Sequence, residues 1–183
     1  MLGYLFPMLK RTSFFARTLI FIRNNGKVLL IRKDPQKYPG ADNWNGIGGH
    51  VESDEDIFSS AKREIKEETG LKVHKLWISA IITQKEPKNG DVILFVLNAE
   101  KPFGTLQKSE EGEISWIDLL DIDKIPVFDD LPVLLNITEK INSQMPALIL
   151  HYQRKHGNFK ILSFDGNPLE KQQERAAIFS TVK

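Results

Sequence analysis

Three glutamates, Glu64, Glu67 and Glu68, crowd one short stretch of chain. On a helical wheel of about 100° per residue, with Ile57 at zero, Ala61, Ile65 and Phe58 fall on one side. Ser59, Lys62 and Lys66 fall toward the opposite, solvent side. Glu64 and Glu68 land within about 20° of Ile57, and Glu67 about 80° away. Acids on a surface helix normally avoid its apolar side, and like charges four residues apart destabilise a helix. A partly buried carboxylate pair therefore needs a strong compensating charge. No run of Lys or Arg lies on that face, and a divalent cation would supply the charge. Hard oxygen ligands favour Mg²⁺ or Mn²⁺, and a chain with no cysteine offers no softer alternative. The plainer alternative is a charged helix in which Arg63 pairs with Glu67, four residues on.

A helix from about Asp54 to Glu68 would carry these side chains. Ser53 is a good N-cap and Asp56 can complete a capping box; Gly70 is a natural left-handed stop. Ahead of it, Phe14 to Arg23 and Lys27 to Lys33 are strand-like runs flanking Asn24-Asn25-Gly26, a strong hairpin signal. Asp34 to Asn45 reads as a loop. After the helix, Leu71 to Gln84 reads as a strand, Lys88-Asn89-Gly90-Asp91 as a second hairpin turn, and Val92 to Leu97 as the returning strand. Glu113 to Ile117 is a short strand. Leu131 to Ile141 is a helix with Pro132 in its first turn. Ala147 to Tyr152 and Phe159 to Phe164 form another strand pair around His156-Gly157-Asn158. From Asp165 the chain is polar and reads as a loose tail or short helix. Strands with helices on both faces predict an α/β/α sandwich with a mixed β-sheet. The expected division is an extension over 1–11, one domain over 12–165 and a polar tail over 166–183.

The 183 residues are enough for one domain with a real core, and 41% hydrophobic with 27% charged residues excludes a disordered chain. The absent cysteines exclude disulfides, thiolate nucleophiles and Cys-ligated metal sites. No apolar run approaches the roughly 20 residues of a membrane span. The apolar start, Met1 to Lys10, lacks the basic residues and cleavage site of a signal peptide, so a cytoplasmic protein is expected. A net charge of +1 argues against a general nucleic-acid binder. That total hides a pattern. Residues 1–37 hold eight bases against one acid, residues 51–70 seven acids against three bases, and residues 100–130 nine acids against three bases. One basic and two acidic segments suit a site that takes cations and phosphates together, although solvated faces would account for each alone.

Gly49, five residues, Glu55, seven residues, then Arg63-Glu64-Ile65-Lys66-Glu67-Glu68-Thr69-Gly70-Leu71 match every position of the Nudix box. A chance match at seven fixed positions is on the order of 10⁻⁸ per start point. The chain resembles a Nudix hydrolase over about residues 12–165. The resemblance implies the Nudix fold, an α/β/α sandwich with a mixed sheet and a loop–helix–loop catalytic motif. It implies attack of water on a phosphorus atom of a nucleoside diphosphate derivative, with Mg²⁺ or Mn²⁺ as cofactor. Glu64, Glu67 and Glu68 would then hold the metal, helped by the Gly49 carbonyl, while Glu55, Arg63 and Gly70 order the motif. A further acid from a distant loop is common in the family; Glu110, Glu111 and Glu113 are the candidates. Glu113 is favoured, as ligand or base, because Gly112-Glu113-Ile114-Ser115-Trp116 resembles the corresponding stretch.

Asn43-Trp44-Asn45-Gly46-Ile47-Gly48-Gly49-His50-Val51-Glu52 resembles the approach to the box in MutT-type enzymes, which remove oxidised purine nucleoside triphosphates such as 8-oxo-dGTP. The same resemblance implies that Asn45 hydrogen-bonds the base and that Asp129 and Asp130 read the purine. A turn role for Asn45 is the alternative. His156-Gly157-Asn158-Phe159 resembles a late stretch of the same enzymes. Trp44 reads as a core or pocket-wall anchor. Arg32 and Lys33 can reach substrate phosphates or form a plain surface pair. His50, His74 and His151 are not expected to be ligands. The expected activity is cleavage of a nucleoside triphosphate to monophosphate and pyrophosphate. The partner is a small nucleotide, with no nucleic-acid polymer and no membrane, and a homodimer is left open. ADP-ribose, nucleotide sugars and dinucleoside polyphosphates remain alternative substrates, and a non-catalytic nucleotide-sensing module is the alternative outside catalysis.

Overall fold

Asn25 and Gly26, at φ +49° and +74°, turn the chain between β1 (Phe14–Asn24) and β2 (Lys27–Lys33). This is the left-handed pair that a tight hairpin requires. The computed structural model describes residues 13–38, 42–85, 90–155, 158–164 and 167–168. After the hairpin come α1 (Ile57–Thr69), β3 (Lys72–Lys85), β4 (Asp91–Phe103) and β5 (Gly112–Asp118). A 3-10 helix over Leu119–Lys124 and α2 (Leu131–Glu139) lead into β6 (Leu148–Lys155), β7 (Asn158–Phe164) and the two-residue β8 (Asn167–Pro168).

These strands form one mixed sheet in the order β5-β2-β1-β4-β3-β6-β7-β8. β1 runs parallel to β4 and β3 parallel to β6, while the other neighbours are antiparallel. Alternation along β1 and β2 sorts the core onto two faces. Leu19, Phe21, Val28 and Leu30 pack with Trp44 and with Leu131, Leu134 and Leu135 of α2. Ile20, Ile22, Leu29 and Ile31 pack with Ala61 and Ile65 of α1. The expected α/β/α sandwich is therefore built, with one helix on each face.

Three expectations are corrected. The N-cap of α1 is Asp56 rather than Ser53: its carboxylate accepts from the Phe58 and Ser59 amides at 2.7 and 3.1 Å. The Ser59 hydroxyl also donates to it, at 2.7 Å. Phe58, placed on the apolar side by the wheel, is 40% exposed in the first turn and lies outside the cluster that holds Ala61 and Ile65. β4 extends beyond Leu97 to Phe103, since its partners β1 and β3 are themselves long. The turn at Lys88-Asn89 and the His156-Gly157 pair lie outside the described residues. So do the extension over 1–11 and all of the 166–183 tail except 167–168. Among the described residues no helix is long and apolar enough to cross a membrane.

Candidate active site

The C-terminus of α1 is fixed by Gly70 at φ +73°. A side chain there would be strained, and its Cβ would come within 2.7 Å of the Gln107 side chain. The helix thus held presents Glu64 and Glu68 inward, 7% and 2% exposed, with Glu67 exposed. Gly49 lets the preceding loop lie against the helix, because a Cβ at that position would collide with the Glu64 carboxylate.

Arg63 organises the exposed side of this cluster. Its Nε and Nη2 donate to the two oxygens of Glu55 at 3.1 and 2.6 Å. Nη1 reaches Glu64 at 2.8 Å and Glu67 at 3.1 Å, and Nη2 also donates to the His50 carbonyl at 3.0 Å. The paired hydrogen bonds from Arg63 hold the Glu55 carboxyl down at about 2. Glu55 raises the Arg63 pKa in return, with Glu64 and Glu67 adding to it. Burial pushes Glu64 up, against the pull of Arg63.

Lys33 organises the inner side. Its Nζ stands 3.0 Å from Glu68 Oε1 and 2.5 Å from Glu111 Oε2, over the Tyr38 ring at 5.2 Å. The Gly48 amide donates to the other Glu68 oxygen at 3.0 Å. Burial raises the Glu68 carboxyl to about 7, with Lys33 opposing. For Lys33 itself burial works downward, but Glu68 and Glu111 overcome it and hold the ammonium above its ordinary range. Burial also opposes ionisation of Glu111, yet Lys33 keeps that carboxyl below its usual range.

The sequence-predicted residues divide accordingly. Glu64, Glu67, Glu68, Glu55, Arg63 and Gly49 converge at α1. The Gly49 carbonyl, expected to help hold a metal, accepts the Thr18 amide of β1 at 2.9 Å. Glu113, expected to join the box, does not. In β5 it pairs across to Arg32 at 2.5 Å, in register with it, on the α2 face of the sheet. Strand alternation gives the reason: Ile114 and Trp116 face α1, so Glu113 and Ile117 cannot. Glu111, just before the strand, is the loop acid brought to Glu68. Arg32 also lies over the Trp44 ring at 5.4 Å. Lys33 was legible from the same alternation, since Leu29, Ile31 and Lys33 share the α1 face.

The base-reading candidates lie along another strip. Asn45 pairs both backbone groups with Ile31 at 2.9 Å, and its Oδ1 accepts the Gly46 amide at 2.8 Å. Its neighbour Trp44, 6% exposed as expected of an anchor, bonds to Pro126 and Phe128 through its backbone. Asp129 and Asp130 follow at once, Asp129 exposed and Asp130 6% exposed. Tyr152, which sequence reasoning did not single out, donates its hydroxyl to Asp130 Oδ2 at 3.0 Å. A cleft of about 1170 Å³ opens at the β2–β5 edge, where Arg32, Lys33, Lys37 and Lys108 supply cations and Glu110 and Glu113 acids.

A divalent ion fits this donor set. Glu64, Glu67, Glu68 and Glu111 offer hard oxygens only. Glu68 Oε1 is buried without an aligned hydrogen bond, its near neighbour being the Lys33 ammonium. In the arrangement seen, Arg63 and Lys33 hold the carboxylates, and among the described residues no three acids or histidines stand grouped as a metal cage.

The NUDIX domain family model matches residues 14–137. The oxidized purine nucleoside triphosphate hydrolase of Mus musculus is 37% identical over 151 residues, covering 81% of this chain and 87% of that protein. Its namesake from Danio rerio is 38% identical over 112 residues, covering 60% of this chain and 67% of that protein. The crystal structure of the MutT protein from Bacillus halodurans superposes with a TM-score of 0.65 at 24% identity, over 82% of this chain and 95% of that one. The shared fold, the family match and the intact glutamate helix agree, and the chain belongs to the Nudix hydrolase family.

Proposed function

We propose that this Nudix pyrophosphohydrolase converts oxidised purine nucleoside triphosphates to the monophosphate and pyrophosphate, with Mg²⁺ or Mn²⁺ as cofactor. The observation that supports the purine reading is the pairing of residues 126–128 onto Trp44, the chain neighbour of Asn45, just ahead of Asp129 and Asp130. The substrate named for the Mus musculus relative supports the same choice.

Glu64, Glu67, Glu68 and Glu111 are the residues that would hold the ion. A bound ion would neutralise diphosphate charge and supply a more acidic water. The side chains supply the rest. Lys33, with Arg32, Lys37 and Lys108 along the cleft, meets the phosphate oxygens. Arg63 restrains Glu64 and Glu67 while the substrate is positioned. Water adds to phosphorus, the phosphoanhydride bond breaks, pyrophosphate leaves, and a carboxylate of the cluster takes the proton. Asn45 and the two aspartates select the base by hydrogen-bond pattern. We place this activity in clearing damaged precursors from the cytoplasmic nucleotide pool.

The test is product identification across oxidised and normal triphosphates, ADP-ribose, a nucleotide sugar and a dinucleoside polyphosphate, each with Mg²⁺. The expected result is 8-oxo-dGTP cleaved to 8-oxo-dGMP and pyrophosphate. Glu67→Gln should lower kcat by about 10²-fold or more. If no triphosphate turns over, the reading fails; preferred cleavage of ADP-ribose or a nucleotide sugar would replace it.

A further inference from the structure

We propose that Ser109 is a positioning residue for the loop acid Glu111. The inference rests on the ion-holding role proposed above for that carboxylate. From Phe103 to Glu110 every residue is exposed except Ser109, which is 5% exposed. Connecting loops run over the surface, and a buried hydroxyl within one needs a partner. The Ser109 Oγ accepts the Glu111 amide hydrogen at 3.1 Å, a side-chain-to-backbone bond across two residues.

That bond does what the strand does not. The β2–β5 register stops at the Lys33–Gly112 pair, one residue short of Glu111, so the pleat does not aim the Glu111 side chain. The chain on either side is anchored instead. The Gln107 amide donates to the Thr69 carbonyl at 2.9 Å, tying the loop to the end of the helix that carries Glu64 and Glu68. Beyond Ser109, the Asp34 amide donates to the Glu111 carbonyl at 2.8 Å, and Lys37 Nζ to the Glu110 carbonyl at 2.8 Å. Ser109 stands between these anchors and closes the turn. Glu111 thus has its amide and its carbonyl both committed, and Lys33 Nζ meets its carboxylate at 2.5 Å and that of Glu68 at 3.0 Å. A ligating group must be held within about 0.5 Å of its place. An acid on an untied turn swings through more than that, and small displacements in such a cluster are costly.

Ser109→Ala removes the oxygen from a loop that is otherwise exposed, and Ser109→Thr keeps it. The first measurement is the dissociation constant for Mn²⁺ alone, from the loss of the free-ion signal in electron paramagnetic resonance. The second is kcat and KM, with Mg²⁺, for the triphosphate cleaved fastest. Both are taken in the parent, Ser109→Ala, Ser109→Thr, Glu111→Gln and the Ser109→Ala, Glu111→Gln double variant, with thermal midpoints for all. Ser109→Ala should weaken Mn²⁺ binding by about three- to tenfold, the size of one net hydrogen bond. It should lower kcat by a similar factor, with KM held within about twofold. Ser109→Thr should stay within about twofold of the parent in both. In the Glu111→Gln background Ser109→Ala should weaken Mn²⁺ binding no further. A lowered thermal midpoint with unchanged Mn²⁺ binding would overturn the inference in favour of a purely structural turn. A changed KM with unchanged Mn²⁺ binding would replace it with a direct substrate contact, since Ser109 lines the cleft. Equal weakening in both backgrounds would overturn the route through Glu111. Parent-like Mn²⁺ binding in Glu111→Gln would remove the ion-holding role of Glu111 as well. Weakened binding in Glu111→Gln beside an unaffected Ser109→Ala would remove this inference alone.

Discussion

Burial and charge pull the Glu68 carboxyl in opposite directions, and burial wins: the group is raised to about 7 from an ordinary value of 4.5 while Lys33 works to lower it. A carboxyl raised in the folded state stabilises the fold through its protonated form. That contribution is full below about 4.5 and disappears as the pH climbs through about 7. In metal-free protein, Glu68→Gln replaces a charge that is costly to bury with a neutral amide. The variant should therefore gain in melting temperature relative to the parent as the pH rises from about 5 to about 8. A difference between the two that stays flat across this range would contradict the assignment. The same residue shows where sequence reading stops. Spacing placed Glu64 and Glu68 on the inward side of the helix, but not the cations that meet them. Arg63 was expected to order the motif and Lys33 to reach phosphates or form a plain surface pair; in the structure both also stand as counterions to the buried acids. The Lys33 contact joins β2 to α1, a tertiary distance that no helical wheel contains, whereas the Arg63–Glu67 pair is the four-residue pairing the sequence offered.

At the scale of elements, the strands were legible because two-residue alternation and Asn-Gly turns are local signals. The errors arose where two local readings compete. Ser53 and Asp56 can each begin a helix, and the choice falls to Asp56, which has Ser59 three residues on to close the turn with a side-chain bond. Asp56→Ala should lower the urea midpoint, while Ser53→Ala should leave it unchanged. At the other end, Gly70→Ala forces an L-residue into the left-handed region and should cost about 1–2 kcal/mol. Equal effects of the two N-terminal substitutions would return the cap to Ser53. The choice between Glu111 and Glu113, which alternation alone would set on one face, turns on Glu111 lying in the loop before β5 and so outside the pleat. Sequence shows that acids cluster before β5, but the facing of each is fixed only once Arg32 and Glu113 are in register.

Across the whole molecule, the uneven charge of the sequence becomes local neutralisation. The basic N-terminal segment supplies Lys33 and Arg32. α1 and the stretch around Glu111 and Glu113 supply the acids, and β2–β5 pairing brings them together. At this edge of the sheet the opposite charges of the basic and acidic segments meet in matched contacts. A divalent ion held among these acids would compete with Lys33 for Glu68 and would add to Arg63 as a counterion. An ion that binds the folded chain and not the unfolded one stabilises it by about 2.7 kcal/mol at a free concentration of 100 times its Kd. For a chain of this length, that is a rise of roughly 5–10 °C in melting temperature. Mg²⁺ should produce this rise in the parent, and NaCl at matched ionic strength should not, because screening weakens the exposed Arg63–Glu67 pair without filling the site. Glu67→Gln tests the location. Its side chain is 60% exposed, so its loss should leave the metal-free midpoint nearly unchanged while cutting the Mg²⁺-dependent rise. A rise of the same size in Glu67→Gln, or one reproduced by NaCl, would mean that the ion acts elsewhere than at the glutamates of α1.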